Sequence, residues 1–121
     1  MEAKKKLVIM ITRGFDDERS SVAWSVANGA LNSDMDLTIF LTSSGIDWVR
    51  KGAADGAHLN PFDPPMMEMI QRVMEKGKVL ACPPCVKVRG IKDDDLLDGV
   101  IVVGSGAMHE EIKQGAATLC F

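Results

Sequence analysis

The sequence predicts an α/β fold, a three-layer α/β/α sandwich around a mostly parallel five-stranded sheet. Three observations point to it. Apolar runs such as "KLVIMIT" (Lys6–Thr12) are continuous rather than alternating, the pattern of strands covered on both faces. Segments with helical spacing of apolar residues separate these runs, which is the alternation of parallel βαβ units. The 121 residues contain no internal repeat, low-complexity tract or linker, so they read as one domain, 1–121, long enough to bury a core.

Taken in order, the first strand, Lys6–Thr12, ends at "RGFDDERSS". Asp16, Asp17 and Glu18 suit the positive end of a helix, and Ala23, Val26, Ala27, Ala30 and Leu31 then recur at helical spacing until Asn32–Asp34. "DLTIFLT" (Asp36–Thr42) is the second strand, and "SSGIDWVRKG" reads as a short helix closed by Gly52. Ala53–Asp63 reads as a loop. Asp63-Pro64-Pro65 reads as a helix entry, with Asp63 as cap. Met66, Met69, Ile70, Val73 and Met74 form the stripe of that helix, ended by Gly77. "KVLAC" (Lys78–Cys82) is the third strand. A short helix follows from near Pro84 to Gly90, and "DDDLLDG" suggests another turn. "GVIVVG" (Gly99–Gly104) is the fourth strand, Ser105–Gln114 a helix, and "AATLCF" the fifth strand.

Composition narrows the function classes. Apolar residues make up 46% and charged residues 26%, with a net charge of -3, so no global basic field favours nucleic acid. Lys4, Lys5 and Lys6 read as a solvated gatekeeper before a hydrophobic strand. No apolar run reaches membrane-span length and the N-terminus lacks a signal-peptide pattern, so the expected location is the cytoplasm. The three cysteines are an odd number in an expected reducing compartment, where they call for packing or chemistry rather than a structural disulfide.

In parallel sheets, sites gather at the C-terminal ends of strands. Here those ends are Thr12–Asp17, Thr42–Gly45, Cys82–Cys85 and Gly104–Gly106. Cys82 and Cys85 flank two prolines where the third strand gives way to a helix. A thiol there meets free N–H groups that favour the thiolate, and Lys87 and Arg89 add positive charge. The alternative is that both thiols are small buried apolar groups. One C-x-x-C supplies two of the four ligands of a structural zinc site, and neither His58, His109 nor Cys120 stands at knuckle spacing, so no metal is expected. Dithiol redox exchange stays chemically possible, although Gly90 cuts short the long helix that a thioredoxin places after its dithiol. Gly104-Ser105-Gly106 reads as a tight turn, Asp93–Asp95 as a solvated helix start, and the methionine stripe as core. His58 and His109 are isolated and support no hydrolytic triad. Cys120 reads as a packed core thiol.

The segments "VIMITRGFDDERSSVAWSVANGAL", "DLTIFLTSSGIDWVRKG", "LACPPCVKVRGI" and "DGVIVVG" together resemble the DsrE/DsrF-like family, which includes the TusD-type sulfur-relay subunits. The cysteine segment is the most specific part. Counted back from Arg89-Gly90, the resemblance places Cys82 on the family's sulfur-carrying cysteine and Cys85 on a second cysteine found in some members. Helix placement alone favours Cys85; the register, which rests on more of the sequence, ranks Cys82 first. The resemblance implies a sulfur carrier or sulfurtransferase-like protein. Cys82 would accept a persulfide sulfur from a donor protein and pass it to a partner thiol. Cys85 would be a resolving or modulating thiol, and Lys87 and Arg89 would favour the anion. The loops Thr12–Phe15 and Ser43–Gly45 would shape the pocket, with Thr12, Arg13, Gly14, Ser43 and Ser44 as its candidate binding residues. No cofactor is implied. A trimer or hexamer of identical chains is, with Trp24, Trp48 and Phe62 as candidate apolar contacts, Trp24 being equally compatible with the core. Two other readings use the same cleft: a non-enzymatic oligomeric binding module, and a dithiol redox protein.

Overall fold

The structure, a computed structural model, describes residues 4–121. Five strands form the sheet: β1 (Lys6–Ile11), β2 (Asp36–Leu41), β3 (Lys78–Ala81), β4 (Ile101–Val102) and β5 (Ala117–Cys120). Their order is β4-β3-β2-β1-β5, and every pairing is parallel. The helices are α1 (Arg19–Asn32), α2 (Met66–Lys76), α3 (Pro83–Val88) and α4 (Gly106–Lys113).

The continuous apolar runs are explained by burial on both sides. Leu7, Ile9 and Ile11 of β1 point to one face with Leu37, Ile39 and Leu41 of β2 and Val79 and Ala81 of β3. There they meet Ala23, Trp24 and Ala27 of α1 and Met69, Ile70 and Val73 of α2. The small alanines of α1 let the two helices approach. Asn28 Nδ2 donates to the Met69 carbonyl at 3.0 Å, and Arg72 Nη2 donates to Asn32 Oδ1 at 2.7 Å, so polar groups fix their register. Val8, Met10, Phe40 and Leu80 point to the opposite face, where α4 lies across β1 and β5.

Several boundaries differ from the sequence reading. The segment after β2 is a 3-10 helix that ends at Val49, not at Gly52; Arg50 then leaves it to bridge Leu96. Asp63 does not cap α2. The helix begins after Pro65 with no side-chain cap, and Asp63 Oδ1 instead accepts from Ser25 Oγ at 3.2 Å, tying the loop to α1. The fourth strand shrinks to Ile101–Val102 because only Leu80 and Ala81 offer it a partner. Trp24 and Trp48 are fully buried and cannot serve an interface, whereas Phe62 is 96% exposed. Cys120 is exposed rather than packed, because β5 is an edge strand. It lines a cavity of about 300 Å³ between the sheet and α4, with Met10, Met108 and Ile112.

Gly29 sits in α1, exposed, and a Cβ added there would meet nothing within 4 Å. A glycine inside a helix carries excess unfolded-state freedom. Gly29→Ala should therefore raise unfolding stability by about 0.5–1 kcal/mol in urea titrations.

Candidate functional site

The site is built where β2 and β3 end. The Cys82 backbone N–H donates to the Leu41 carbonyl at 2.9 Å, extending the β2–β3 ladder by one bond before the chain turns. Cys82, at φ -65° and ψ 122°, lies just outside β3 as the residue before α3. Pro83 and Pro84 occupy the first two helical positions, where their fixed φ suits the turn. They also remove two of the N–H groups that a helix start normally presents. The Val86 N–H is already used by the Cys82 carbonyl at 3.1 Å. The free donor left in this first turn is the Cys85 N–H, and it faces the Cys82 sulfur.

Both thiols are free and partly exposed, and both pack against the edge of the main core. Burial pushes the Cys82 thiol above its ordinary pKa. The Cys85 amide pulls it back in part, and the Cys85 thiol beside it pushes it up again. Neither Lys87 nor Arg89 contributes to that shift. Lys87 is exposed, and Arg89 Nη1 donates to the Cys85 carbonyl at 3.2 Å, where it closes the C-terminal end of α3. The lowering that the helix start supplies is thus outweighed by desolvation, and the expected lowering by the cations does not arise. The two prolines explain why the helix start helps so little.

The loops expected to shape the site do meet one another. Gly14 lies against Ser44, whose carbonyl a Cβ at position 14 would approach to 2.8 Å. Ser43 takes a left-handed φ of 49° at the end of β2, and the 3-10 helix that it begins packs against α3. Thr12 Oγ1 is committed to the Phe121 carbonyl at 2.8 Å, and Arg13 Nε lies 3.2 Å from Asp17. Thr12, Arg13 and Gly14 therefore sit at the end of β1, with β2 between them and the strand that leads to Cys82. Phe15, half exposed, stands edge-on against Trp48 with ring centroids 4.7 Å apart. The sequence places Phe15 in a loop expected to shape the pocket, but its pairing with Trp48 has no local signal, because a lone aromatic in a loop has no period.

A cavity of about 260 Å³ runs beside β4, lined by Asp93, Leu96, Val100 and Val102, and neither cysteine opens into it. Among the described residues no group of three or more His, Cys, Asp or Glu side chains is placed to hold a metal ion. His58 Nε2 is engaged by the Asp63 carbonyl at 2.7 Å. Asp93, Asp94 and Asp95 are exposed, with Asp95 accepting from the Lys92 N–H at 2.8 Å. No helix among the described residues is long and apolar enough to cross a membrane.

Comparison with known proteins agrees with this architecture. An uncharacterized protein of Methanocaldococcus jannaschii is 32% identical over 110 residues, covering 88% of this chain and 89% of its own. One of Methanopyrus kandleri is 32% identical over 108 residues, covering 88% and 82%. Among solved structures, the ychN protein from E. coli superposes with a TM-score of 0.75 at 20% identity, covering 98% of this chain and all (100%) of its own. A protein of unknown function from Methanobacterium thermoautotrophicum gives 0.72 at 21% identity, again over 98% and 100%. These two likenesses establish the fold. The sequence model of the DsrE/DsrF-like family matches residues 4–121, and with those relatives it places this chain in the DsrE/DsrF-like family.

Proposed function

We propose that Cys82 is an acceptor for sulfane sulfur, taking it from a persulfide donor and yielding it to a second thiol. The observation that carries this is the position of Cys82. It is a free, partly exposed thiol at the C-terminal end of a central strand, with its sulfur facing the one unused N–H of the following turn. Family membership adds sulfur-relay chemistry as the context. In the uptake step the Cys82 thiolate attacks the outer sulfur of R–S–SH. The donor's S–S bond breaks, R–S⁻ leaves, and Cys82–S–SH forms.

Reduced Cys85→Ser protein, treated with one equivalent of glutathione persulfide, should gain one sulfur atom that peptide mass analysis assigns to Cys82. Cys82→Ser should gain none. Because burial holds the thiol up, uptake should accelerate by about tenfold per pH unit from neutrality until the thiol ionises. Absence of added sulfur in every variant, with Cys82 inert to a small alkylating agent, would overturn this reading.

A second reading has its own support. Ile101, Val102 and Leu119 expose apolar surface on the two edge strands, as a binding module or assembly would. Cys82→Ser leaves such a role intact, so the same variant separates the two.

A further inference from the structure

We infer that Cys85 ends the sulfur's stay on Cys82: it attacks the persulfide from within the same chain, releases the sulfur as sulfide and leaves a Cys82–Cys85 disulfide. This rests on the reading of Cys82 as acceptor and specifies how the sulfur departs.

Cys82 precedes α3 and Cys85 is its third residue, separated by two prolines. That spacing brings the Cα atoms within the range a disulfide spans, about 4.4–6.8 Å. The prolines fix their own φ and hold the turn in place. The Cys85 thiol lies close enough to the Cys82 sulfur to raise its pKa. In the persulfide that atom is the inner sulfur, and the transferable sulfur lies one bond further out. A nucleophile held on the next turn beside the inner sulfur displaces the outer one as a leaving group rather than capturing it. The nearby cations do not compete for the thiolates, since Arg89 is held on the Cys85 carbonyl and Lys87 points to solvent exposure on α3.

The step balances. Cys85–S⁻ and Cys82–S–SH give Cys82–S–S–Cys85 and HS⁻. The Cys85 thiol proton passes to solvent or to the departing sulfide. The sulfane sulfur is reduced, the two cysteine sulfurs are oxidised, and no outside oxidant is needed. Returning to the dithiol needs a reductant, and its chemical class is a dithiol. The sum is R–S–SH plus a dithiol giving R–SH, hydrogen sulfide and the reductant's disulfide. The chain would therefore stand between a persulfide-forming reaction and one that consumes free sulfide.

The test loads reduced protein with one equivalent of glutathione persulfide, removes small molecules, and follows sulfide and intact mass together. Wild type should release one sulfide per chain and become two hydrogens lighter, with Cys82 and Cys85 in one disulfide-linked peptide. Cys85→Ser and Cys85→Ala should keep the added sulfur on Cys82 and release at least tenfold less sulfide. Dithiothreitol should convert the wild type's single turnover into many. If wild type retains the added sulfur as stably as both Cys85 variants, with no disulfide, the inference fails while the acceptor reading stands. If neither wild type nor the Cys85 variants take up or release sulfur, the acceptor reading fails, and this inference with it. Circular dichroism on both Cys85 variants establishes that they are folded.

Discussion

Gly45→Ala should destabilise the protein by about 3 kcal/mol, the high end for overpacking in a tight site. A Cβ at position 45 would stand 2.2 Å from the Ile11 carbonyl oxygen and 2.9 Å from its carbon. Both are backbone atoms, so no side chain can swing away. The same carbonyl accepts the Thr42 N–H at 3.1 Å, a bond that holds the end of β2 to the end of β1. Separating Gly45 from Ile11 therefore opens that junction. The strain passes in two directions: to the Gly14–Ser44 contact, and through Leu41, whose carbonyl holds the Cys82 N–H, to the candidate site. A chain of this size should lose about 10 °C in melting temperature. The alkylation rate of Cys82 should change in the folded protein as well. Gly29→Ala is the matched control, the same chemical change in open space, and it should move stability the other way. A Gly45→Ala protein as stable as wild type would show that the two loops are not locked through this glycine.

The close approach of Gly45 also illustrates what sequence can and cannot reveal. Continuous runs such as "KLVIMI" announce strands buried on both faces, and the Met69–Ile70–Val73 stripe announces a helix with one buried side. Both are local patterns with their own period. The placement of Cys82 and Cys85 at a strand end was equally legible, because proline at a helix start is a local signal. The parts misread depend on distant partners. Asp63 looks like a cap until Ser25, 38 residues away, takes its carboxylate. Arg89 looks like a cation for a thiolate until the helix carries it to a carbonyl one turn back. Val103 and Gly104 look like strand, but β3 is too short to pair them as such. Cys120 looks like core until the strand order puts β5 at an edge. Strand order arises from crossovers, and no short window of residues encodes it.

Glu111→Gln should remove about 1–2 kcal/mol of stability near neutral pH, and the loss should vanish in acid. Glu111 is only 8% exposed, on the face of α4 that meets the sheet. Its carboxylate accepts from Lys6 Nζ at 2.9 Å and from Lys78 Nζ, and Lys6 Nζ also donates to Asp36 Oδ2 at 2.9 Å. One carboxylate thus fastens α4 to both β1 and β3. The Lys78 side chain is 50% exposed and that of Lys6 25%, so solvent screens the pairs and the figure lies well below that of a fully buried bridge. The Lys78 hydrogen bond, then that of Lys6, holds the Glu111 pKa below the ordinary carboxylate value, while burial opposes them. A depressed folded-state pKa gives stability that is complete above the unfolded-state value, about 4.3, and is lost as pH falls through the folded one. Wild type and Glu111→Gln should therefore differ by a constant amount from about pH 5 to neutrality and converge below that window. Asp17, held near a pKa of about 2 chiefly by its Arg19 hydrogen bond, weakens both proteins alike in acid. The difference between their urea midpoints thus isolates Glu111. A gap that persists unchanged into acid would mean that shape at position 111, rather than charge, secures α4. In that case Lys6→Met and Lys78→Met should also leave acid stability unmoved. If charge is what secures the helix, each lysine variant should reproduce part of the loss at neutral pH and none of it in acid.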